Sequence, residues 1–202
     1  MNRHRVPAPR RVALHIAAAA AALLLFAVPA AGADWDIARL MGLLAHNKGG
    51  QTTFTEKKYI GMLDRPLASA GILVYQAPGH LEKRTLKPKP ESFVLDGDVV
   101  TIRRPGKEYT LQLHDYPKVA VFIDSIRATL AGDRAALERD YHLKLTGTRE
   151  RWTLILSPAD SRTAGLIDKI IVGGRDGGIR SVEIRQPDGD RSVMTIGTAA
   201  PP

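Results

Sequence analysis

The sequence predicts a mainly β (α+β) protein, in which a strongly curved antiparallel sheet carries helices on its concave face. Two observations lead to this fold class. Short strand-like runs follow one another with only turn residues between them, which leaves no room for the crossover helices that parallel strands need. Apolar residues recur at helical spacing in only two regions, residues 37–44 and the middle of the chain.

The first 33 residues have the pattern of an export signal. The basic opening contains four arginines, Arg3, Arg5, Arg10 and Arg11. An apolar run from Val12 to Val28 follows, and then a small-residue stretch that ends at Ala33. This order predicts a signal peptide that is cleaved near Ala33, and therefore export to the periplasm. The alternative is a retained membrane anchor, for which the run is short and rich in alanine. The Arg10-Arg11 pair leaves both Sec and twin-arginine export open.

The charge balance argues against a nucleic-acid partner. The whole chain has 29 basic and 21 acidic residues, a net charge of +8. Four of the arginines and none of the acids precede Asp34, so the exported part carries 25 basic and 21 acidic residues, a net charge of +4. An excess of this size is ordinary for a soluble protein. We therefore expect no nucleic-acid binding, and we expect a monomer.

The chain contains no cysteine. This excludes a disulfide framework, a thiol nucleophile, a thiolate-bound metal and a lipid-modified N-terminal cysteine. A single domain is expected over residues 34–198, followed by a disordered tail at 199–202. Such a domain must be held together by its apolar core.

The first half of the domain is expected to be one helix and a series of hairpins. Apolar residues at helical spacing predict an amphipathic helix over Asp36 to His46, which the segment Asn47–Gly50 ends. The dipeptide Asp96-Gly97 suits a tight hairpin, because glycine accepts a positive φ. The strands of this half are expected over residues 52–62, 67–76, 80–86, 91–95, 98–103 and 108–113.

The middle of the chain switches to helical periodicity. Pro117 and Gly132 match the chemistry of a helix start and a helix stop. Between them the apolar residues form one stripe, Val119, Phe122, Ile123, Ile126 and Leu130. A second short helix is expected over Arg134 to Arg139. Strands then resume over residues 141–145, 151–156, 167–172, 179–185 and 191–196, which makes about eleven in all.

No catalytic or metal-binding motif is present. The histidines of the exported part lie in separate elements, and the nucleophile-elbow pattern G-x-S-x-G is absent. The glycine-rich segment Gly173–Gly178 has neither a lysine nor a helix after it, so we interpret it as a turn. The two Asp-Gly-Asp pairs are likewise interpreted as hairpin corners. We expect no enzymatic activity, no metal and no cofactor.

Apolar residues that alternate with polar ones are expected to line one face of the sheet. With the helical stripe they form a candidate lipid-binding cavity: Ile72, Val74, Phe93, Leu95, Val100, Ile102, Tyr109, Leu111, Leu113, Val119, Phe122, Ile123, Ile126, Trp152, Leu154 and Leu156. The pattern fits a solid core, and it also fits a partial cover with space for a lipid. An acyl chain of about sixteen carbons would gain on the order of 10 kcal/mol from burial, before ordering costs.

Several segments resemble the periplasmic outer-membrane lipoprotein carriers, the LolA-like family. They are Phe54–Glu56, Gly71–Pro78, the Asp96-Gly97 turn, Val121–Asp133 and Trp152–Pro158, and the resemblance covers nearly all of the exported part. It implies an open half-barrel of the LolA/LolB type, with helices as a lid over an apolar cavity. It also implies a carrier that takes a lipoprotein's acyl chains from an inner-membrane transporter and passes them to an outer-membrane acceptor.

One position departs from the family pattern. The resemblance implies an arginine before the proline that ends the second strand, where it would bind the lid. Here that position is Ala77, before Pro78. Lid gating is therefore absent or handled differently, and the cargo could be another lipid or a lipid-linked pigment precursor. An alternative function on the same fold is a lipid-responsive regulatory or scaffolding protein that binds a partner.

Overall fold

Eleven antiparallel strands form one sheet that does not close, in the order β6-β5-β4-β3-β2-β1-β11-β10-β9-β8-β7. The computed structural model describes residues 35–197, apart from the side chain of Lys118. The signal peptide predicted over residues 1–33 and the tail predicted over 199–202 lie outside the described residues. Strand neighbours are antiparallel throughout, so the fold class predicted from the sequence is confirmed.

The strands lie close to their predicted positions. Those of the first half are β1 (Gly49–Tyr59), β2 (Leu67–Gln76), β3 (His80–Lys87), β4 (Glu91–Asp96), β5 (Val99–Arg104) and β6 (Lys107–Gln112). Those of the second half are β7 (Tyr141–Thr148), β8 (Arg151–Pro158), β9 (Lys169–Arg175), β10 (Gly178–Arg185) and β11 (Arg191–Ile196). β1 begins and ends three residues earlier than predicted.

Within residues 35–197, four α-helices accompany the sheet: α1 (Ile37–Ala45), α2 (Pro117–Ala131), α3 (Arg134–Asp140) and α4 (Ser161–Ala164). The Asp36 carboxylate caps α1 by accepting a hydrogen bond from the Arg39 amide, 2.9 Å away. α4 and a 3-10 turn at Leu113–Asp115 were not predicted, since both are too short to show a period. No helix among the described residues is long and apolar enough to cross a bilayer.

Gly132, at the end of α2, lies at the contact between α2 and α1. It has a φ of +65°, as expected where glycine ends a helix in the left-handed conformation. A Cβ at this position would lie only 2.1 Å from the carbonyl oxygen of Met41 in α1. A glycine therefore both ends α2 and allows the two helices to touch.

The helices cover one face of the sheet through two separate clusters. We call the larger one the α1 core, because α1 and parts of α2 and α3 pack there on strands β7–β9. Its buried members are Leu40, Met41, Leu44, Ala128, Leu137, Tyr141, Trp152, Leu154, Leu156, Ile167, Ile170 and Val172. The smaller one, the α2 core, lies over β4 and β5 and consists of Leu95, Val100, Leu113 and Ile123.

A single side chain links the two clusters. Phe122 of α2 packs against both cores, so the α1 core and the α2 core meet at this helix.

Candidate functional site

The candidate site is the part of the concave face that lies between the two cores, and we call it the central face. Residues paired directly across an antiparallel ladder share a face, so the register defines it. Leu73, Tyr75, Met194 and Ile196 lie there, on the strands that flank β1. Each is half-buried, and none packs against either core. The floor between them is Phe54 of β1, which is fully buried.

One arc of α2 lies between the directions of the two cores. Ile123 points into the α2 core and Ala128 into the α1 core, and Phe122 touches both. Successive residues of an α-helix are 100° apart around its axis. Val119 and Ile126 therefore lie between the directions of Ile123 and Phe122. Ile126 is half-buried and Val119 is exposed, and neither packs against a core. Two members of the apolar stripe predicted on this helix thus belong to neither core.

The structure divides the predicted cavity residues among several places. Those in the α1 core are Trp152, Leu154 and Leu156, each buried to at least 99%. Those in the α2 core are Leu95, Val100, Leu113 and Ile123, with Phe93, Ile102, Leu111 and Phe122 packed against it. Val119 and Tyr109 are 42% and 45% exposed. The concave face therefore holds most of the predicted set, and Tyr109, Val119 and Ile126 belong to neither core.

Ile72 and Val74 require a correction. In the ladder they pair with Thr53 and Gln51 of β1, which point away from Phe54. They therefore lie on the opposite face of the sheet from the helices. The prediction was wrong because residues 72–75 of β2 are all apolar. Alternation of apolar and polar residues therefore could not indicate which face of this strand packs against the helices. The neighbours Leu73 and Tyr75 are the residues that face the helices.

Sequence reasoning also missed a charged network at one end of the central face. Glu56 of β1 is 5% exposed, and its carboxylate pairs with the Lys83 ammonium. The same carboxylate accepts hydrogen bonds from the Ser192 hydroxyl at 2.5 Å and the Ser69 hydroxyl at 3.3 Å. The Lys83 ammonium lies 5.1 Å from the centre of the Phe54 ring. No sequence pattern indicated this network, because its members come from four strands.

The network decides the protonation state of Glu56. Burial by itself raises the pKa of a carboxyl group, but here the Lys83 charge, its hydrogen bond and the Ser192 hydroxyl outweigh burial. The net effect is that the pKa of Glu56 lies below its usual value. The central face is therefore apolar at one end and holds an ionised, paired carboxylate at the other.

Two clefts of about 350 Å³ lie elsewhere on the domain. One lies between α2 and α3 and has a charged lining that includes Asp124, Arg127 and Asp140. Burial raises the pKa of Tyr141, at its base, to about 12. The other lies beside Trp152 and Arg180 near one end of β8–β10. Neither cleft has the apolar lining that an acyl chain needs, and neither lies under the stripe of α2.

α2 is tied to the sheet by an arginine of its own. The Arg127 guanidinium donates to the Asp98 carboxylate at 3.2 Å, in the turn between β4 and β5, and reaches close to Gly79 in the turn between β2 and β3. The sequence left open how the helix is held when Ala77 replaces the family arginine. In this chain the cation is on the helix and its acceptor is on the sheet.

Residues 35–197 contain no group of three or more side chains arranged to hold a metal ion. The site is defined by shape and polarity instead. An open antiparallel sheet, curved around a helix that covers its apolar face incompletely, is the architecture of a lidded half-barrel. The family to which this half-barrel belongs is shown by its match to a known sequence profile.

The sequence profile of the family described as outer membrane lipoprotein carrier protein LolA-like matches residues 27–201. The chain belongs to this LolA-like family, as the resemblance predicted. No curated protein sequence matches it.

Solved structures to which this chain is similar share little of its sequence. A LolA superfamily protein from Nitrosomonas europaea is 11% identical, with 82% of this chain and 93% of that chain covered and a TM-score of 0.40. A putative outer membrane lipoprotein-sorting protein domain from Vibrio parahaemolyticus is 10% identical, with 80% and 89% covered and a TM-score of 0.41. A chain of the MucA/MucB complex from Pseudomonas aeruginosa is 13% identical, with 83% and 59% covered and a TM-score of 0.44.

Proposed function

We propose that this protein is an exported, non-enzymatic lipid carrier that shelters acyl chains between α2 and the central face of its sheet. The observation that carries the proposal is the set of apolar side chains on both sides of that interface that pack against neither core. Leu73, Met194 and Ile196 present it from the sheet, and Val119 and Ile126 from the helix.

The physical role of the lid follows from the same geometry. Apolar surface that is left half-exposed gains about 25 cal/mol per Å² when a hydrocarbon covers it. Because neither cleft lies under the stripe of α2, a chain enters when α2 moves away from the sheet. The two attachments of α2 that would yield are the Arg127–Asp98 pair and the small α2 core.

The proposed cellular role follows from the family. The cargo would be the acyl chains of a lipoprotein or another lipid, carried through the periplasm toward the outer membrane. A donor in the inner membrane and an acceptor in the outer membrane are implied partners. The charged pair Glu56–Lys83 at one end of the central face would lie near the polar end of a bound amphiphile.

The direct test is uptake of a fluorescent fatty acid by the purified protein, together with native mass spectrometry of protein recovered from the periplasm. Ile126→Glu places a charge on the lid stripe, and we expect it to weaken probe binding at least about tenfold, since the charge would have to be desolvated under the chain. Leu73→Ser tests the sheet side and should weaken binding severalfold. Both variants should retain the wild-type circular dichroism, because both positions are half-buried.

The matched control is Ala131→Glu, which adds the same charge to an exposed position of the same helix. It should bind the probe like the wild type. The proposal fails if the wild type neither carries lipid nor takes up the probe. It also fails if Ile126→Glu simply unfolds the protein, because the stripe would then be ordinary core.

A further inference from the structure

The two ends of the first six strands differ in what covers them. Since these strands are sequential antiparallel neighbours, their turns alternate between the ends. The turns at 77–79 and 97–98 lie at the end that Arg127 of α2 reaches. The turns at 60–66, 88–90 and 105–106 lie at the other end, which we call the free end. No helix is attached to these three turns by any hydrogen bond described in the structure.

Exposed apolar side chains concentrate at the free end. Met62 and Leu63 form the tip of the β1–β2 loop and are 92% and 46% exposed. Five of the seven large apolar residues that are exposed among the described residues lie at this end: Met62, Leu63, Leu67, Leu86 and Tyr109. A group of this kind in one region indicates an interaction surface, whereas scattered single residues do not.

The β1–β2 loop is held in place. The Gly61 amide donates to the Asp190 carboxylate at 2.9 Å, which ties the loop to the turn between β10 and β11. Within the loop, the Leu63 amide donates to the Ile60 carbonyl oxygen at 2.9 Å. The backbone is therefore fixed while the Met62 side chain projects into solvent.

The same end carries the positive charge of the domain. Segments 57–67, 87–91 and 103–108 contain eight basic residues, Lys57, Lys58, Arg65, Lys87, Lys89, Arg103, Arg104 and Lys107. They contain three acidic residues, Asp64, Glu91 and Glu108, and the latter two pair with Arg104 and Arg103. The adjacent segment 185–191 is neutral, with two arginines and two aspartates. The free end thus has a net charge of +5, against +4 for the whole exported part.

We propose that the free end docks this protein on an anionic lipid bilayer. Met62 and Leu63 would enter the boundary between head groups and acyl chains, and the surrounding lysines and arginines would contact the lipid phosphates. An apolar tip within a basic surface is what a peripheral membrane protein presents, since burial and attraction to anionic lipid add. The charge complementarity favours this occupant over a neutral protein surface. The inference does not depend on lipid carriage, because a docking protein needs no cavity.

The test is sedimentation of the full-length exported protein with vesicles. Phosphatidylcholine vesicles are compared with vesicles that also contain phosphatidylglycerol. We expect binding to the anionic vesicles, little binding to the neutral ones, and loss of binding at high salt. A Met62→Trp variant should show a blue shift of its added fluorescence on anionic vesicles as the side chain leaves water.

Two sets of variants separate the apolar and the charged contributions. The double variant Met62→Ser with Leu63→Ser should weaken vesicle binding at least about tenfold. Lys57→Glu with Lys89→Glu should weaken it by more than about fivefold per position, since each cation near an anionic surface contributes about that factor. The matched controls are Tyr116→Ser, an exposed residue at the helix end, and Lys144→Glu, an exposed lysine on β7. Both should bind like the wild type.

The outcomes are distinguishable from those of the carrier test. Wild-type protein that ignores anionic vesicles overturns the docking proposal, even if the protein takes up fatty acid. Equal losses in the free-end variants and the controls also overturn it, because the surface would then act only through its total charge. Vesicle binding without fatty-acid uptake would support docking and contradict the carrier function.

Discussion

The two halves of the concave face differ in how completely the helices cover them. Where α1 packs on strands β7–β9, the core has twelve buried residues, contributed by both the helices and the strands. Where α2 packs on β4 and β5, the core has only four, of which two are on these strands. The first half has the packing of an ordinary protein interior, whereas the second borders a stretch of half-exposed apolar side chains. The comparison indicates that one half holds the fold together and the other half is able to open.

We call the half of the concave face under α1 the firm half. Its packing around Trp152 leaves no free space. Trp152 is 1% exposed, and its indole nitrogen donates to the Asp176 carbonyl oxygen at 2.9 Å. Its ring lies against Gly174, where a Cβ would come within 2.2 Å of the ring atoms. On the other side, α2 contributes one buried residue, Ile123, to the α2 core, and Phe122 packs against that core.

The largest expected effect is on the stability of the firm half. Leu154→Ala removes a fully buried side chain and should lower the free energy of unfolding by about 3–5 kcal/mol. Ile123→Ala, in the α2 core, should cost about 2 kcal/mol, because its cavity borders residues that can shift to fill it. Urea denaturation of both variants tests the comparison. Equal losses would show that the two halves are equally well packed.

A second prediction concerns the charged network on the central face. Lys83→Met leaves the Glu56 carboxylate buried without its cation, and should lower stability by about 3 kcal/mol at neutral pH. In the wild type the lowered pKa of Glu56 gives stability that is present above its unfolded value of 4.5 and is lost as the pH falls through the folded value. Without Lys83, only Ser192 and Lys58 oppose the effect of burial on that pKa, so this group's contribution to stability shrinks.

The gap between wild type and Lys83→Met should therefore be small at acidic pH and grow as the pH rises toward neutral. Denaturation series at several pH values measure it. Lys57→Met is the control, since this lysine is exposed and its side chain points to the opposite face of the sheet. A gap that does not change with pH would show that Lys83 does not keep the buried Glu56 ionised.

The smallest effect is expected at the attachment of the lid. Arg127→Ala removes the link from α2 to Asp98, a partly exposed ion pair that contributes less than about 1 kcal/mol. Global stability should hardly change, but the amide hydrogens of α2 should exchange faster with solvent. Arg134→Ala removes a comparable pair with Glu138 inside α3 and should leave α2 unchanged. Identical exchange in the two variants would show that Arg127 does not hold the helix on the sheet.

Much of the architecture could be predicted because it depends on local chemistry. β2 and β11 were predicted with the bounds that they have, and Pro117 and Gly132 mark the ends of α2 as expected. Turn residues, caps and periodicity act over a few positions, so they are legible in a single sequence. The LolA-like resemblance added a sheet that stays open, and the strand order confirms this.

The face of β2 and the Glu56 network depended on partners far away in the chain. Ile72 and Leu73 are equally apolar, and only the pairing of Gly71 with Phe54 turns Leu73 toward the helices. Ser192, which binds Glu56, is 136 positions away. Such choices are made when strands align, since a shift of one residue exchanges the two faces.

By itself, the sequence determined which segments become strands and helices and where they end, and it contains no cysteine. Those properties follow from backbone preferences and residue chemistry that act locally. Only the tertiary structure decided which apolar residues are sealed in a core and which stay half-open beside α2. It also brought Met62 and the basic turns to one end. Burial and charge density depend on how distant segments are placed together, and no local pattern records that.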